Sequence, residues 1–409
     1  MKRLFITALI INLSYASTYE EVIQLATQRA TDIKLSEEDI KKIEYQIKEA
    51  KSNLYPSLSI TGSYTRWDPN YISGFTPKNQ YNAKLTLSQT IFDQSIFETL
   101  NIAKKSLKLQ NATKENVKIN VIDTARRLYY DALYKKSVLK QKEENLKYWQ
   151  ENLKLVENKY QVGQVAKYDY MTAKAQYQSA ISDLELAKAN YEKSIIELKR
   201  FLFKEDLTPP EGELSKIDYN LDEDFDKLLE ENPDIKVLKE QIAVQDSQIK
   251  LEEVANNPTV SFQANYQTNN IMKFPQNEEA WKKGYNFNIS ANMVIFDGFK
   301  KDSRVMQAKI DKTKYNIQLE DKKNSVKAQI KEALQDLNAL QKQIDANKAN
   351  LEASEEALRL STERYKVGVA NIVELLQSKS NYETAKLNYL TSIYSYNLRL
   401  FDLMKLIGK

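Results

Sequence analysis

The chain has 409 residues, 28% of them charged and 42% hydrophobic, a net charge of +4 and a mean hydropathy of −0.59. That balance is too polar for helical membrane spans, too apolar for general disorder, and carries no basic field for a nucleic-acid partner. The absence of cysteine and histidine excludes disulfides, Ser-His-Asp and Cys-His catalysis, and zinc held by histidine or thiolate.

Carboxylates alone could still hold a hard cation or hydrolyse a glycoside, but no P-loop and no Gly-x-Gly-x-x-Gly occurs. No catalytic residue, metal ligand or cofactor is read from the chain.

At the N-terminus Lys2 and Arg3 precede the apolar run Leu4 to Leu13, and Ser14-Tyr15-Ala16 offers small residues for cleavage. Residues 1–16 read as a secretory signal peptide.

The rest reads as one phrase written twice. "NLYPSLSITGSY" (Asn53 to Tyr64) is answered by "ANNPTVSFQANY" (Ala255 to Tyr266), and "QTIFDQSIF" (Gln89 to Phe97) by "MVIFDGFKK" (Met293 to Lys301). "NKYQVGQVAKYDY" around Gly163 is answered by "ERYKVGVANIVEL" around Gly368, 205 positions on. This predicts a first repeat over 17–202, a linker over 203–220 marked by Pro209-Pro210 and Gly212, and a second repeat over 221–409. Each repeat holds short helices, two strands, a long polar helix, a glycine turn and a returning helix.

The strands are expected near 57–66, 81–91, 259–268 and 285–296, where side chains alternate with period two. Leu58, Ile60, Leu85, Leu87, Val260, Phe262, Phe287 and Ile289 fall on one face, and Ile91, Met293 and Ile295 continue it. Serine, threonine, asparagine and glutamine fill the other, with Gln89 the exception on the apolar side. Such a sheet could cover a soluble core, or it could turn its apolar face to lipid and its polar face to a wet lumen. The stretches approach the length that spans a bilayer. Tyr64, Trp67, Tyr81, Tyr266, Trp281 and Tyr285 gather at one end as an interfacial girdle would, and the helices have heptad partners of their own. The barrel is therefore preferred. Four strands cannot close one, and lipid does not tolerate open edges, so several copies must join.

Between each "IFD" and the following glycine phrase lie about 65 residues without proline and, apart from Gly298 directly after the second "IFD", without glycine, a helix of roughly 100 Å. Leu139, Leu146, Leu153 and Tyr160 form a heptad, matched by Ile344, Leu351, Leu358 and Tyr365. Beyond the glycines, Tyr170, Tyr177, Leu184, Tyr191 and Leu198 match Leu375, Tyr382, Tyr389, Tyr396 and Leu403. A period of seven predicts antiparallel coiled-coil hairpins, with Gly163 and Gly368 as the turns.

The signal peptide, the doubled α/β repeat, the hairpins and the two Tyr-x-Val-Gly turns together resemble the TolC family of outer-membrane efflux proteins, over nearly the whole mature chain. The resemblance implies a mixed α+β membrane protein: a homotrimer sharing a 12-stranded transmembrane β-barrel in outer-membrane lipid, with a periplasmic α-barrel tunnel built from the hairpins. It implies a passive duct served by an inner-membrane pump and a periplasmic adaptor that docks at Val162, Gly163, Val367 and Gly368. It also implies a periplasmic gate at Glu374, Gln377, Asp169 and Tyr365, with Asp169 and Tyr365 as a linking pair. Three copies of Glu374 on one axis would favour cations. Gln377 stands where the best-known members carry aspartate, and Ala370 where a second link needs arginine. A periplasmic coiled-coil adaptor is the competing reading, but an adaptor has a single hairpin between split β domains. A carboxylate-only hydrolase would need a compact core that these heptads do not suggest.

Overall fold

A computed structural model describes residues 17–72, 76–219, 225–273 and 278–409. The expected signal peptide and the end of the linker at Asn220 lie outside the described residues. The elements run α1 (Tyr19–Arg29), α2 (Thr31–Ser52), β1 (Ser57–Arg66), β2 (Asn79–Phe92), α3 (Gln94–Gln161) and α4 (Lys167–Leu202). They continue α5 (Phe225–Glu231), α6 (Pro233–Glu253), β3 (Thr259–Lys273), β4 (Glu278–Asn292), α7 (Lys300–Lys366) and α8 (Ile372–Leu406). Two compact units result. One holds the residues up to Ser36 with Lys114–Ile235 and Lys322–Lys409; the other holds Glu37–Thr113 and Lys236–Asp321.

The second unit contains the sheet, in the order β1-β2-β3-β4 with every pairing antiparallel. Five strand boundaries differ from the sequence expectation: β2 starts two residues earlier and ends one later, β3 ends five residues later, and β4 shifts at both ends. β4 begins at Glu278, because Ile271, Met272 and Lys273 on β3 continue the ladder against Ala280, Glu279 and Glu278. It ends at Asn292, paired with Thr259; the preceding Pro258 has no N–H with which to extend β3. Met293 and Ile295 therefore lie beyond the strand. On β2 the register shifts between Thr90 and Phe92, so Ile91 is the extra residue of a bulge rather than the next apolar position. The Gln89 amide, out of place by pattern, donates to the carbonyls of Leu54 and Thr90 at 3.0 and 2.8 Å.

The twin "IFD" aspartates start the long helices. Asp93 accepts from the Ser95 backbone at 2.8 Å, and Asp297 accepts from the Lys300 and Lys301 backbones at 3.1 and 2.8 Å. Both satisfy first-turn donors that a helix cannot pair internally. The Asp297 carboxyl is held below its usual range, first by the Asn256 amide and then by these backbone donors. In the same unit α6 is tied to α7 by Gln245 donating to the Ala308 carbonyl at 3.1 Å and by the Lys312–Asp246 pair at 2.7 Å.

With no proline or glycine to interrupt them, α3 and α7 run for 68 and 67 residues, and each ends at a glycine turn in the first unit. In the second hairpin the heptad residues Ile344, Tyr365, Leu375, Tyr396 and Leu403 are buried; in the first, the deep seam is smaller and more polar than the heptads suggest. On α4 the buried series is Ala173, Ala180, Ala187 and Ser194, a true heptad three residues on from the half-buried Tyr170, Tyr177, Leu184 and Tyr191. On α3 the deep positions are Gln141, Asn145, Trp149, Asn152 and Val156, while Leu139, Leu146 and Leu153 are half-buried and Tyr160 is exposed. Small residues let helix backbones approach. The larger heptad residues then flank the contact instead of filling it.

Candidate functional site

The register of the sheet fixes its two faces, because directly opposed residues on neighbouring strands point the same way. Leu58 opposes Leu87 and Ile60 opposes Leu85. Leu85 opposes Tyr266 and Leu87 opposes Ala264. Phe262 opposes Ile289 and Ala264 opposes Phe287, while Val260 opposes Phe92 and Ala291. All eight apolar strand residues singled out in the sequence thus share one face, and Ile60 and Ile289 are 81% and 69% exposed on it. Five of the girdle aromatics continue this face: the rings of Tyr64 and Tyr81 lie 5.0 Å apart, and those of Tyr81 and Trp281 6.3 Å apart, while Tyr266 opposes Leu85 and Tyr285. Trp67, beyond the end of β1, instead donates to Gln80 of the other face at 3.2 Å.

The opposite face is a hydrogen-bonded mesh. Thr86 donates to the Asn265 side-chain oxygen at 2.9 Å, Asn265 donates to Asn286 at 2.8 Å, and the hydroxyls of Ser261 and Ser290 lie 2.8 Å apart. A surface so divided suits lipid on one side and water on the other. The outer edges of β1 and β4 have no strand partner within this sheet.

The two glycine turns meet in the first unit. Val156, Ala173, Tyr365, Ile372 and Leu375 form a buried cluster that joins both hairpins. Gly163 and Gly368 have φ of 73° and 80°, and a Cβ on either would meet nothing within 4 Å. Their role is therefore conformational rather than a matter of close packing. Gly163 donates to the Tyr160 carbonyl and Gln164 to that of Lys159; Gly368 and Val369 repeat the pattern with Tyr365 and Arg364. Both are helix-terminating turns of the Schellman type. Val162 and Val367 beside them are exposed.

Glu374 sits in the first turn of α8, its backbone N–H held by the Asn371 side chain at 2.8 Å. Its carboxylate is not free: Arg364 donates to it at 2.7 Å. Gln377 is exposed and donates to Asn381 at 2.9 Å. Asp169 and Tyr365 line one cleft of about 480 Å³, but no hydrogen bond joins them within the chain. The Tyr365 hydroxyl is buried without a partner. Burial, and next the Asp169 charge, push its pKa up. The expected linking pair is thus brought close and left unmade in the single chain.

The sequence reading overlooked three residues here. Arg364 and Glu374 flank the Gly368 turn, and that flanking was the available signal for their pairing. Lys159, the counterpart of Arg364 by the 205-residue spacing, instead donates to the carbonyls of Tyr365 and Lys366 at 3.1 and 3.0 Å. Lys379 is almost wholly buried, stacked 4.3 Å from the Tyr148 ring and 3.3 Å from the Glu383 carboxylate. Burial pushes its pKa down, with Glu383 opposing. Among the described residues no helix is long and apolar enough to cross a membrane.

A profile of the outer membrane efflux protein family matches residues 22–202 and again 225–409. The chain belongs to that family. It is a family of outer-membrane transport channels rather than of enzymes, and the protein is an outer-membrane protein. Among relatives, the outer membrane protein TolC of Escherichia coli K12 is 23% identical, the match covering 97% of this chain and 83% of TolC. The outer membrane efflux protein BepC of Brucella suis is 21% identical over 88% of this chain and 78% of BepC. Solved structures share the fold. CusC superposes with a TM-score of 0.81 at 17% identity, covering 95% of this chain and 92% of CusC. The CmeC outer membrane channel of Campylobacter jejuni gives 0.77 at 21% identity, covering 95% and 85%.

Proposed function

We propose that this protein is the exit duct of a tripartite efflux or type I secretion system, passively conducting cargo from an inner-membrane pump and a periplasmic adaptor across the periplasm and outer membrane. The observation that carries the reading is the sheet: one lipid-suited face, one hydrated face, and outer edges with no strand partner. In hydrocarbon each unpaired backbone group at such an edge costs several kcal/mol, so β1 and β4 call for strands of other copies. Three copies supply the twelve strands of a closed barrel, the assembly the family resemblance implies. The internal repeat, supported by the two separate profile matches, would give such a trimer six similar strand pairs and six similar hairpins.

In this reading the hairpins line the periplasmic tunnel. The exposed Val162-Gly163 and Val367-Gly368 turns form the adaptor-docking surface, and Asp169, Tyr365, Glu374 and Gln377 surround the mouth. The competing adaptor reading would place the hairpins between separate β domains, whereas all four strands here lie in one sheet. The test is in-cell cross-linking from a photoreactive residue at Val367, with the purified protein sized in detergent. A detergent-dependent trimer cross-linked to an adaptor is expected. A monomer fully soluble in buffer would overturn the proposal.

A further inference from the structure

Glu374 occupies the place at the mouth where a ring of carboxylates would attract cations, but the charges around it do not leave an acidic ring. The two turns, from Lys159 to Asp169 and from Glu363 to Glu374, hold Lys159, Lys167, Arg364 and Lys366 against Asp169, Glu363 and Glu374. The cations outnumber the carboxylates by one in each chain. Geometry sharpens this. The Arg364 guanidinium lies 2.7 Å from Glu374, and the Lys366 ammonium lies 2.9 Å from Glu363, so both carboxylates of the second turn are closed into pairs. Asp169 forms no side-chain hydrogen bond or ion pair among the described residues, and it shares its cleft with the ammonium groups of Lys159 and Lys366.

The Arg364–Glu374 pair is partly exposed, and as a stabilising contact it counts for little. Its effect on a passing ion is another matter. A charge and its countercharge at contact act at a distance only as a dipole, whose field dies away much faster than that of a lone carboxylate. Salt screening then removes most of the rest within about 8–10 Å.

We infer that Arg364 is the ion-selectivity residue of this mouth: by cancelling Glu374 in each chain it removes the cation preference that a Glu374 ring would impose and leaves the mouth open to anionic and neutral cargo. The inference rests on the reading of the tip as a pore mouth. Arg364 belongs to the last turn of α7 and Glu374 to the first turn of α8, so the pair spans the Gly368 turn within one hairpin. It needs no partner chain to form.

The test compares the reversal potential of reconstituted channels under a potassium chloride gradient in neutral phosphatidylcholine bilayers, for wild type, Arg364→Gln, Glu374→Gln and the double variant. Unheated gel electrophoresis confirms that each has assembled. Arg364→Gln uncovers the carboxylate and should shift the potential towards cation preference. Glu374→Gln uncovers the guanidinium and should shift it towards anion preference. The double variant should return close to wild type. If Arg364→Gln leaves the potential unchanged while Glu374→Gln alone reduces cation preference, Glu374 acts uncovered and the inference falls. If assembled channels conduct and no variant moves the potential, the tip is outside the conducting path; the pore-mouth reading then fails, and the inference with it.

Discussion

The Lys159 ammonium caps the end of α7 at Tyr365: it donates to the Tyr365 carbonyl at 3.1 Å and lies 5.1 Å from the centre of the same residue's ring. One side chain of the first hairpin thus reaches two carbonyls in the last turn of α7, those of Lys366 and of Tyr365, the latter also accepting from the Gly368 N–H, and a positive charge there suits the helix dipole. Lys159→Gln should loosen this junction. A hydrogen bond from a charged donor contributes about 1.5–3 kcal/mol when buried; here, partly in water, about 1 kcal/mol is expected. Hydrogen exchange across 363–374 should accelerate while that of the strands stays unchanged. Unaltered exchange in the turn would show that the packing of Tyr365 alone holds the hairpins together.

The faces of the sheet yield the most direct test. Ile289→Arg places a charge on the apolar face, where a lipid midplane costs about 2–4 kcal/mol per arginine. It should reduce assembled protein in the outer membrane severalfold. Asn288→Arg, one residue away on the hydrogen-bonded face, should assemble normally. Heat-modifiable gel mobility reads both, and equal tolerance would mean that the apolar face is covered by protein.

These faces were legible in the sequence because period two is strict from Tyr285 to Ala291 and again from Val260 to Tyr266. The places where reading failed have physical causes. Ile91 obeys the alternation but falls in a bulge, which hydropathy does not encode. Met293 and Ile295 continue the pattern past the point where Pro258 stops the partner strand. In the first repeat most of the apolar heptad pointed beside the seam, whereas Leu198 and, in the second repeat, Ile344, Tyr365, Leu375, Tyr396 and Leu403 are buried as the pattern requires. The deep positions Ala173, Ala180 and Ala187, with Asn145 and Asn152 on α3, look unremarkable by composition. The tip was half legible. A glycine repeated in one phrase announces a turn, but the pairing of Arg364 with Glu374, rather than Lys159 with Asp169, depends on which cation reaches the exposed α7 carbonyls.

The turn glycines should be sensitive to backbone conformation and indifferent to size. An L-residue in the left-handed region costs about 1–2 kcal/mol, and a methyl group at Gly368 would touch nothing. Gly368→Ala should therefore open the tip to proteolysis, Gly368→Val more so, and Gly368→Asn least, since asparagine tolerates this conformation. Gly62, which lacks a positive φ and whose added Cβ would lie 4.0 Å from the Asn82 carbonyl, supplies the control: Gly62→Ala should be silent. Equal resistance of wild type and Gly368→Val to protease would remove the conformational role.

The last prediction concerns Lys379. Its ordinary pKa of 10.5 is lowered in the fold, chiefly by burial, while the neighbouring Glu383 pulls the other way. The other charged groups bearing on it are Lys386, which lowers it further, and Glu144, which raises it; the rings of Tyr148 and Tyr382 pack against the ammonium. The sign follows from proton counting. Between the lowered folded value and 10.5 the unfolded chain binds more protons than the folded one, so stability rises with pH across that window. Below the window both states are protonated, and the cost of burying the charge is present in full. Lys379→Met keeps the volume and removes that cost, though the Glu383 Oε1 that faces it is buried and loses its countercharge. The variant should unfold at a higher temperature than wild type at pH 7, and the gap should narrow as pH approaches 10.5. Following thermal unfolding of the two proteins in the same detergent from pH 7 to 10.5 cancels the titration of the other lysines and tyrosines, which the two share. A gap that stays constant with pH would assign the effect to packing. A less stable variant at pH 7 would mean that the ion pair with Glu383 outweighs the burial.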